Sequence, residues 1–220
     1  MNAFKRSASK WTKVAVFAGG DWDHYRTDFD TFVGVDRGSL WILDQNLPLD
    51  MAVGDFDSVT KAEFAVIRDA AKIIVQAQPE KDDTDLELAL LEIFGAHPQV
   101  QVTIFGALGG RIDHTLANVF LPSNPKLAPF MKQIQLEDGQ NLISYCPEGV
   151  SQLQPRRDYP YLAFMPVRDS HLTILGAKYE LTEENFFFKK VYASNEYIDR
   201  EVSVTCPDGY VVVLHSKDRR

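Results

Sequence analysis

The first half of the chain repeats one pattern: a short apolar run rich in β-branched residues, a stop at glycine or aspartate, and then residues at helical spacing. Residues 13–18 stop at Gly19-Gly20-Asp21, 32–35 at Asp36-Arg37-Gly38-Ser39, 51–53 at Gly54-Asp55, and 101–105 at Gly106. Between them, Leu40, Leu43 and Leu47, then Phe64, Ile67 and Ala71, then residues 86–94, carry the helical period, and 72–76 adds a further strand. Strands alternating with helices predict a parallel sheet covered by helices, and such sheets gather ligands beyond the carboxyl ends of their strands.

After Asn118 the character changes. Three prolines fall within 121–129, and from Ile134 onward short apolar runs are separated by Asp138-Gly139, Pro147-Glu148-Gly149, Arg157-Asp158, Asn185 and Pro207-Asp208-Gly209. That spacing predicts a small antiparallel sandwich or barrel, with Pro207-Asp208-Gly209 as a hairpin turn joining 202–206 to 210–215. The expected fold class is therefore an α/β N-terminal domain with a mostly parallel sheet, over 1–130, followed by an all-β C-terminal sandwich, over 131–220.

Charge narrows the partners. A formal net charge of −8 argues against an electrostatic grip on nucleic acid or anionic membrane. Cys146 and Cys206 lack C-x-x-C spacing, so zinc is not expected, no disulfide can be inferred, and both read as strand residues. No stretch approaches the roughly 20 apolar residues of a membrane span and residues 1–10 lack a signal-peptide core, so the cytoplasm is the expected location.

An acidic protein that handles phosphates needs a metal and a few placed cations, and the acidic blocks suit that task. Asp55 and Asp57 lie two positions apart after a strand; on an extended chain they would share a side and favour a hard cation such as Mg²⁺, or else form a solvated acidic turn. Asp36 sits at a strand end, where α/β enzymes keep reactive groups, or caps the next helix. In Lys81-Asp82-Asp83-Thr84-Asp85, Asp82 and Asp83 read as an ordinary acidic helix start, Asp85 as a further metal ligand and Lys81 as a phosphate partner. The glycines of 106–110 form a natural phosphate cradle, and Arg111 either grips phosphate oxygens or pairs with Asp113.

These blocks resemble those of the bacterial thiamine pyrophosphokinase family. The resemblance is carried by Val35-Asp-Arg-Gly-Ser39, Asp50-Met-Ala-Val-Gly-Asp-Phe-Asp-Ser58, Glu80-Lys-Asp-Asp-Thr-Asp-Leu-Glu-Leu88, Gly106-Ala-Leu-Gly-Gly-Arg-Ile-Asp-His-Thr-Leu-Ala-Asn118, Gly176-Ala-Lys-Tyr179 and Ser194-Asn-Glu196, in family order. It implies transfer of a pyrophosphoryl group from ATP to thiamine, giving thiamine diphosphate and AMP, by a homodimer whose active sites are shared between subunits. It also implies catalytic roles for Asp36, Asp55, Asp57 and Asp85, with Mg²⁺ on Asp55, Asp57 and Asp85. ATP contacts then fall to Lys81, Thr84, Arg111 and Asp113, and thiamine contacts to Ser194, Asn195 and Tyr179. Two rival functions use the same residues: an aspartyl-phosphate hydrolase starting from Asp55-Phe-Asp57, and a module that binds Mg-ATP without turnover.

Overall fold

A computed structural model describes residues 11–22, 24–77 and 82–219. The chain divides into two compact units, Met1–Asp138 and Gly139–Arg220.

The first unit holds strands β1 (Lys13–Phe17), β2 (Thr31–Val35), β3 (Met51–Gly54), β4 (Ile73–Gln76), β5 (Gln101–Phe105) and β6 (Ile134–Glu137). Helices α1 (Gly38–Asp44), α2 (Lys61–Ala70), α3 (Asp85–Ala96) and α4 (Ile112–Val119) connect or flank them. The strand order is β6-β5-β1-β2-β3-β4, and every neighbouring pair is parallel. Val14, Ala15, Val16 and Phe17 are all buried. A parallel strand covered on both faces has no solvent side, which is why β1 reads as an unbroken apolar run. Capping boxes start α2 (Thr60 with Glu63) and α3 (Thr84 with Glu87), satisfying N–H groups that a helix cannot satisfy within itself. The chain builds outward from β1 through β2, β3 and β4, then returns to lay β5 and β6 on the other side. The order reverses between β1 and β5, the crevice where open α/β sheets bind ligands. Because β6 pairs with β5, the first unit runs on through 138.

Between β1 and β2 the chain is irregular, and a buried carboxylate fastens it. Glu137, 6% exposed at the end of β6, accepts hydrogen bonds from Arg26 Nε (3.2 Å) and Nη2 (3.1 Å) and lies 3.1 Å from His24 Nε2. Glu137→Ala should cost about 2 kcal/mol in urea denaturation, because Arg26 loses its bidentate acceptor while keeping partial access to water. An unchanged midpoint would show that the clamp bears no load.

The second unit contains β7 (Asn141–Leu153), β8 (Tyr161–Pro166), β9 (Thr173–Leu175), β10 (Tyr192–Glu196) and β11 (Val202–Ser216), all paired antiparallel. The expected hairpin at Pro207-Asp208-Gly209 does not form. Cys206 pairs with Gly149 and Tyr210 with Pro147, so β11 continues past these residues as one long strand with a bulge opposite Glu148. Gly209 (φ 78°) and Gly149 (φ 98°) adopt left-handed backbone at the same level, so β7 and β11 bend together. Two facing turn signals therefore make a shared corner. Beyond it, the early half of β11 pairs with β9 and the late half with β8. Leu162, Phe164 and Val213 from one side and Ile174, Val202 and Val204 from the other share one core, which makes this unit a sandwich. Cys146 and Cys206 lie on β7 and β11 and are both buried in that core.

Candidate active site

Three acidic groups from separate loops meet at the carboxyl edge of the parallel sheet. Asp36 follows β2, Asp55 follows β3, and Asp85 opens α3. Asp36 takes left-handed backbone (φ 46°), its N–H donates to Val53 O at 3.0 Å, and its Oδ1 accepts the Phe56 N–H at 3.1 Å. Such backbone is rare outside glycine and marks positions held in place by their surroundings. Gly54 makes the arrangement sterically possible: a Cβ there would stand 1.9 Å from Asp36 Oδ1. One carboxylate oxygen from each of Asp36, Asp55 and Asp85 lies within 4.8 Å of the others. An octahedral Mg²⁺ holding oxygens at about 2.1 Å separates any two of them by about 3 to 4.2 Å, so this donor set of hard oxygens fits such an ion with a small closure.

Asp57 does not join that group. Side-chain alternation would have carried it to the side of Asp55, but the strand ends at Gly54 and Phe56 turns left-handed (φ 60°) to bury its ring 4.8 Å from Phe64. Asp57 is left exposed, and its N–H donates to Asp55 Oδ1 at 3.0 Å. Asp36 takes the place that the spacing had given to Asp57.

Burial first, then the nearby Asp85, pushes the Asp36 carboxyl up to about 7, against the lowering effect of the Phe56 hydrogen bond. An unfolded aspartate titrates near 3.9, so between about 4 and 7 the folded chain keeps a proton that the unfolded chain releases. This group's contribution is therefore most favourable below about 4 and is lost as pH rises to about 7. In chelator-treated protein, Asp36→Asn should gain stability relative to the parent across that window; parallel pH profiles for the two would contradict the assignment.

The crevice between β1 and β5 carries glycine loops on both sides. Gly20 N–H donates to Gly106 O at 2.9 Å, and the indole of Trp22, bonded to Ala18 O at 2.9 Å, packs against Gly106 so closely that a Cβ there would lie 2.4 Å from Nε1. Gly106, Gly109 and Gly110 all have positive φ, while Thr115 and Asn118 side chains bind the carbonyls of Gly109 and Ala107 at 2.8 Å each. Arg111 is exposed and pairs in bidentate fashion with Asp113, at 3.1 and 2.5 Å, which holds the Asp113 carboxyl down to about 2. Thr84 Oγ1 accepts the Glu87 N–H at 3.2 Å as the cap of α3, beside Asp85. Lys81 lies outside the described residues.

In the second unit, Ser194 is exposed with left-handed backbone (φ 63°), and Tyr179 presents its ring at 61% exposure. Asn195 differs: it is buried and bonded to backbone groups of Tyr179 and Glu196. Sequence reasoning missed the roles of Gly54 and of the Glu137 clamp. Gly54 stood inside the acidic motif with no mark separating it from a turn glycine, and Glu137 lies 111 positions from Arg26.

Comparison with known proteins gives the family. Residues 22–130 match the family model of the thiamin pyrophosphokinase catalytic domain, and residues 151–211 match that of the thiamin pyrophosphokinase vitamin B1 binding domain. Thiamine pyrophosphokinase of Bacillus subtilis is 33% identical over 214 residues, covering 93% of this chain and 99% of the relative. A thiamin pyrophosphokinase family protein from Enterococcus faecalis superposes with TM-score 0.86 at 40% identity, covering 94% of this chain and all of its own (100%). The crystal structure of the Bacillus subtilis protein gives TM-score 0.77 at 32% identity, with 94% and 100% coverage. With both domain models matched in order and a relative aligned along nearly its whole length, the chain belongs to the thiamine pyrophosphokinase family.

Proposed function

We propose that the chain transfers the pyrophosphoryl group of ATP to the hydroxyethyl oxygen of thiamine, giving thiamine diphosphate and AMP. The observation that carries this reading is the convergence of Asp36, Asp55 and Asp85, in a chain that matches both the catalytic and the vitamin B1 binding models. In the reaction an O–P bond forms at the β-phosphorus as the bond to the bridging oxygen of the α-phosphate breaks, and AMP departs. Such transfer asks mainly for alignment of the two oxygens and for dispersal of negative charge.

Asp36, Asp55 and Asp85 would hold Mg²⁺, with Asp57 as an outlying carboxylate that adds to the local negative field. The ion supplies charge neutralisation on the phosphates. Arg111 and Lys81 are the cations for the same phosphates; Arg111 exchanges its Asp113 partner for a phosphate oxygen, a swap its exposed side chain permits. Thr84 places Asp85 by capping its helix. In this reading the first unit is the ATP-binding catalytic domain, extending past the expected boundary at 130 to include β6, and the second unit is the thiamine-binding and dimerisation domain, with Ser194 and Tyr179 as its thiamine contacts and Asn195 between them in the same subsite.

The enzyme works as a homodimer with shared active sites, and in the cytoplasm, where ATP is made available. Support comes from the second unit, which leaves Val150, Leu175, Phe187, Phe188 and Ile198 exposed. No helix among the described residues is long and apolar enough to cross a membrane. Mixing Asp55→Asn chains with Ser194→Ala chains should restore part of the activity in verified heterodimers; no recovery would argue for a site within one subunit.

The decisive assay is AMP release from ATP and Mg²⁺ with and without thiamine. Release that requires thiamine is expected. Phosphate release without thiamine would instead favour the aspartyl-phosphate hydrolase, and saturable ATP binding with no turnover would favour a binding module.

A further inference from the structure

We infer that Asn195 is a positioning residue that acts on thiamine through Tyr179 and does not touch the substrate itself; the inference rests on the proposed contact between Tyr179 and thiamine. Asn195 is 4% exposed. Its Oδ1 accepts the N–H of Tyr179 at 3.0 Å and of Glu196 at 3.0 Å, and its Nδ2 donates to the carbonyl of Tyr179 at 2.8 Å. A carboxamide offers two acceptor sites and two donors, so only one N–H remains, and burial keeps it from a ligand that approaches from solvent.

The pattern is that of a missing strand pair. Ala177 bridges Tyr197, and the N–H of Lys178 donates to the carbonyl of Glu196 at 3.0 Å, so the 176–179 turn zips residue by residue onto the end of β10. At Tyr179 the backbone ladder would continue to residue 195. There β10 departs from regular pairing: its register against β8 shifts between Tyr192 and Asn195, and Ser194 takes left-handed backbone. The Asn195 carboxamide supplies the acceptor and the donor that the displaced backbone no longer offers. It brackets both polar groups of the Tyr179 peptide.

The result is an exposed aromatic ring on a backbone fixed on several sides. The Lys178 ammonium pairs with Glu196 at 2.6 Å and stands 5.6 Å from the centre of the Tyr179 ring. Gly176 anchors the start of the turn, its N–H donating to Glu180 Oε1 at 2.6 Å. A ring fixed in advance binds a flat partner without losing the freedom of a mobile loop, which is where affinity gained by pre-organisation arises.

A double-mutant cycle tests this on the full-length enzyme, with KM for thiamine, KM for ATP, kcat and thermal midpoint measured for Tyr179→Ala, Asn195→Ala and the double variant. Each single change should raise the thiamine KM about tenfold and leave the ATP KM within about twofold, and the double variant should be no worse than Tyr179→Ala alone. Asn195→Asp keeps the acceptor oxygen but loses the donor to Tyr179 O; should Asn195→Ala fail to fold, it carries the same cycle. Independent, multiplying effects would overturn the positioning role and indicate a direct contact. A thiamine KM untouched by Tyr179→Ala would overturn the thiamine contact of Tyr179 itself, and with it the inference. A fall in kcat with both KM values unchanged would mark Asn195 as a residue of folding alone and also overturn it.

Discussion

Asp55→Asn should lower kcat/KM by about 10³ while leaving the fold intact, because the change removes a charge at the proposed metal site and almost nothing else. Asparagine keeps an Oδ1 that can still accept the Asp57 N–H, so the local turn survives. Stability should move in the opposite direction from activity. Three carboxylate oxygens within 4.8 Å of one another repel, at about 1 kcal/mol per charged pair in a water-like dielectric and more where water is excluded. Neutralising one of them in chelated protein should hold or raise the thermal midpoint. Added Mg²⁺ should then stabilise the parent strongly and the variant weakly, since an ion stabilises only the state that binds it. A variant that lost activity and midpoint together would indicate a structural aspartate and contradict the metal-site reading.

Gly54→Ala should be as damaging by a different route. The added methyl would stand 1.9 Å from Asp36 Oδ1 and 2.7 Å from its Cγ, less than any non-bonded contact allows, and residue 54 has φ +151°, where alanine is strained. Asp36 has little room to retreat, because its own N–H is committed to Val53 O. Its carboxylate must swing away and break the bond from Phe56, so Asp36 leaves the cluster. Activity should fall at least about 10²-fold and stability by about 2 kcal/mol. Adding Asp36→Gly to Gly54→Ala should recover part of the stability and none of the activity. If the double variant were no more stable than Gly54→Ala, the contact between these two residues would not be the cause.

The α/β half was legible because its signals are local. A buried parallel strand has to be apolar on both faces, so β1, β2 and β5 stand out as runs ended by glycine or aspartate, and the spacing of Phe64 and Ile67 marks α2. The second half was legible in class but not in path. Pro207-Asp208-Gly209 has the chemistry of a hairpin, and only pairing with distant Pro147 and Gly149 makes it a bulge in a longer strand.

The acidic site followed the same division. Asp55 and Asp85 were visible as carboxylates at element ends, yet strand periodicity placed Asp57 beside them. It cannot foresee that Phe56 turns left-handed to bury its ring and so breaks the alternation one residue after Asp55. Arg111 and Asp113 were read both ways, and in the structure they pair with each other. Asn195 shows the limit most plainly. Its place in a Ser-Asn-Glu motif suggests a ligand contact, whereas its hydrogen bonds run to backbone 16 positions away, which no spacing rule reveals.

The most direct test of the whole account is a crystal of the protein soaked in Mn²⁺ and measured at the manganese absorption edge. The account predicts an anomalous peak bounded by Asp36, Asp55 and Asp85, lost in Asp55→Asn. A peak centred on other residues, or an undiminished peak in that variant, would contradict it.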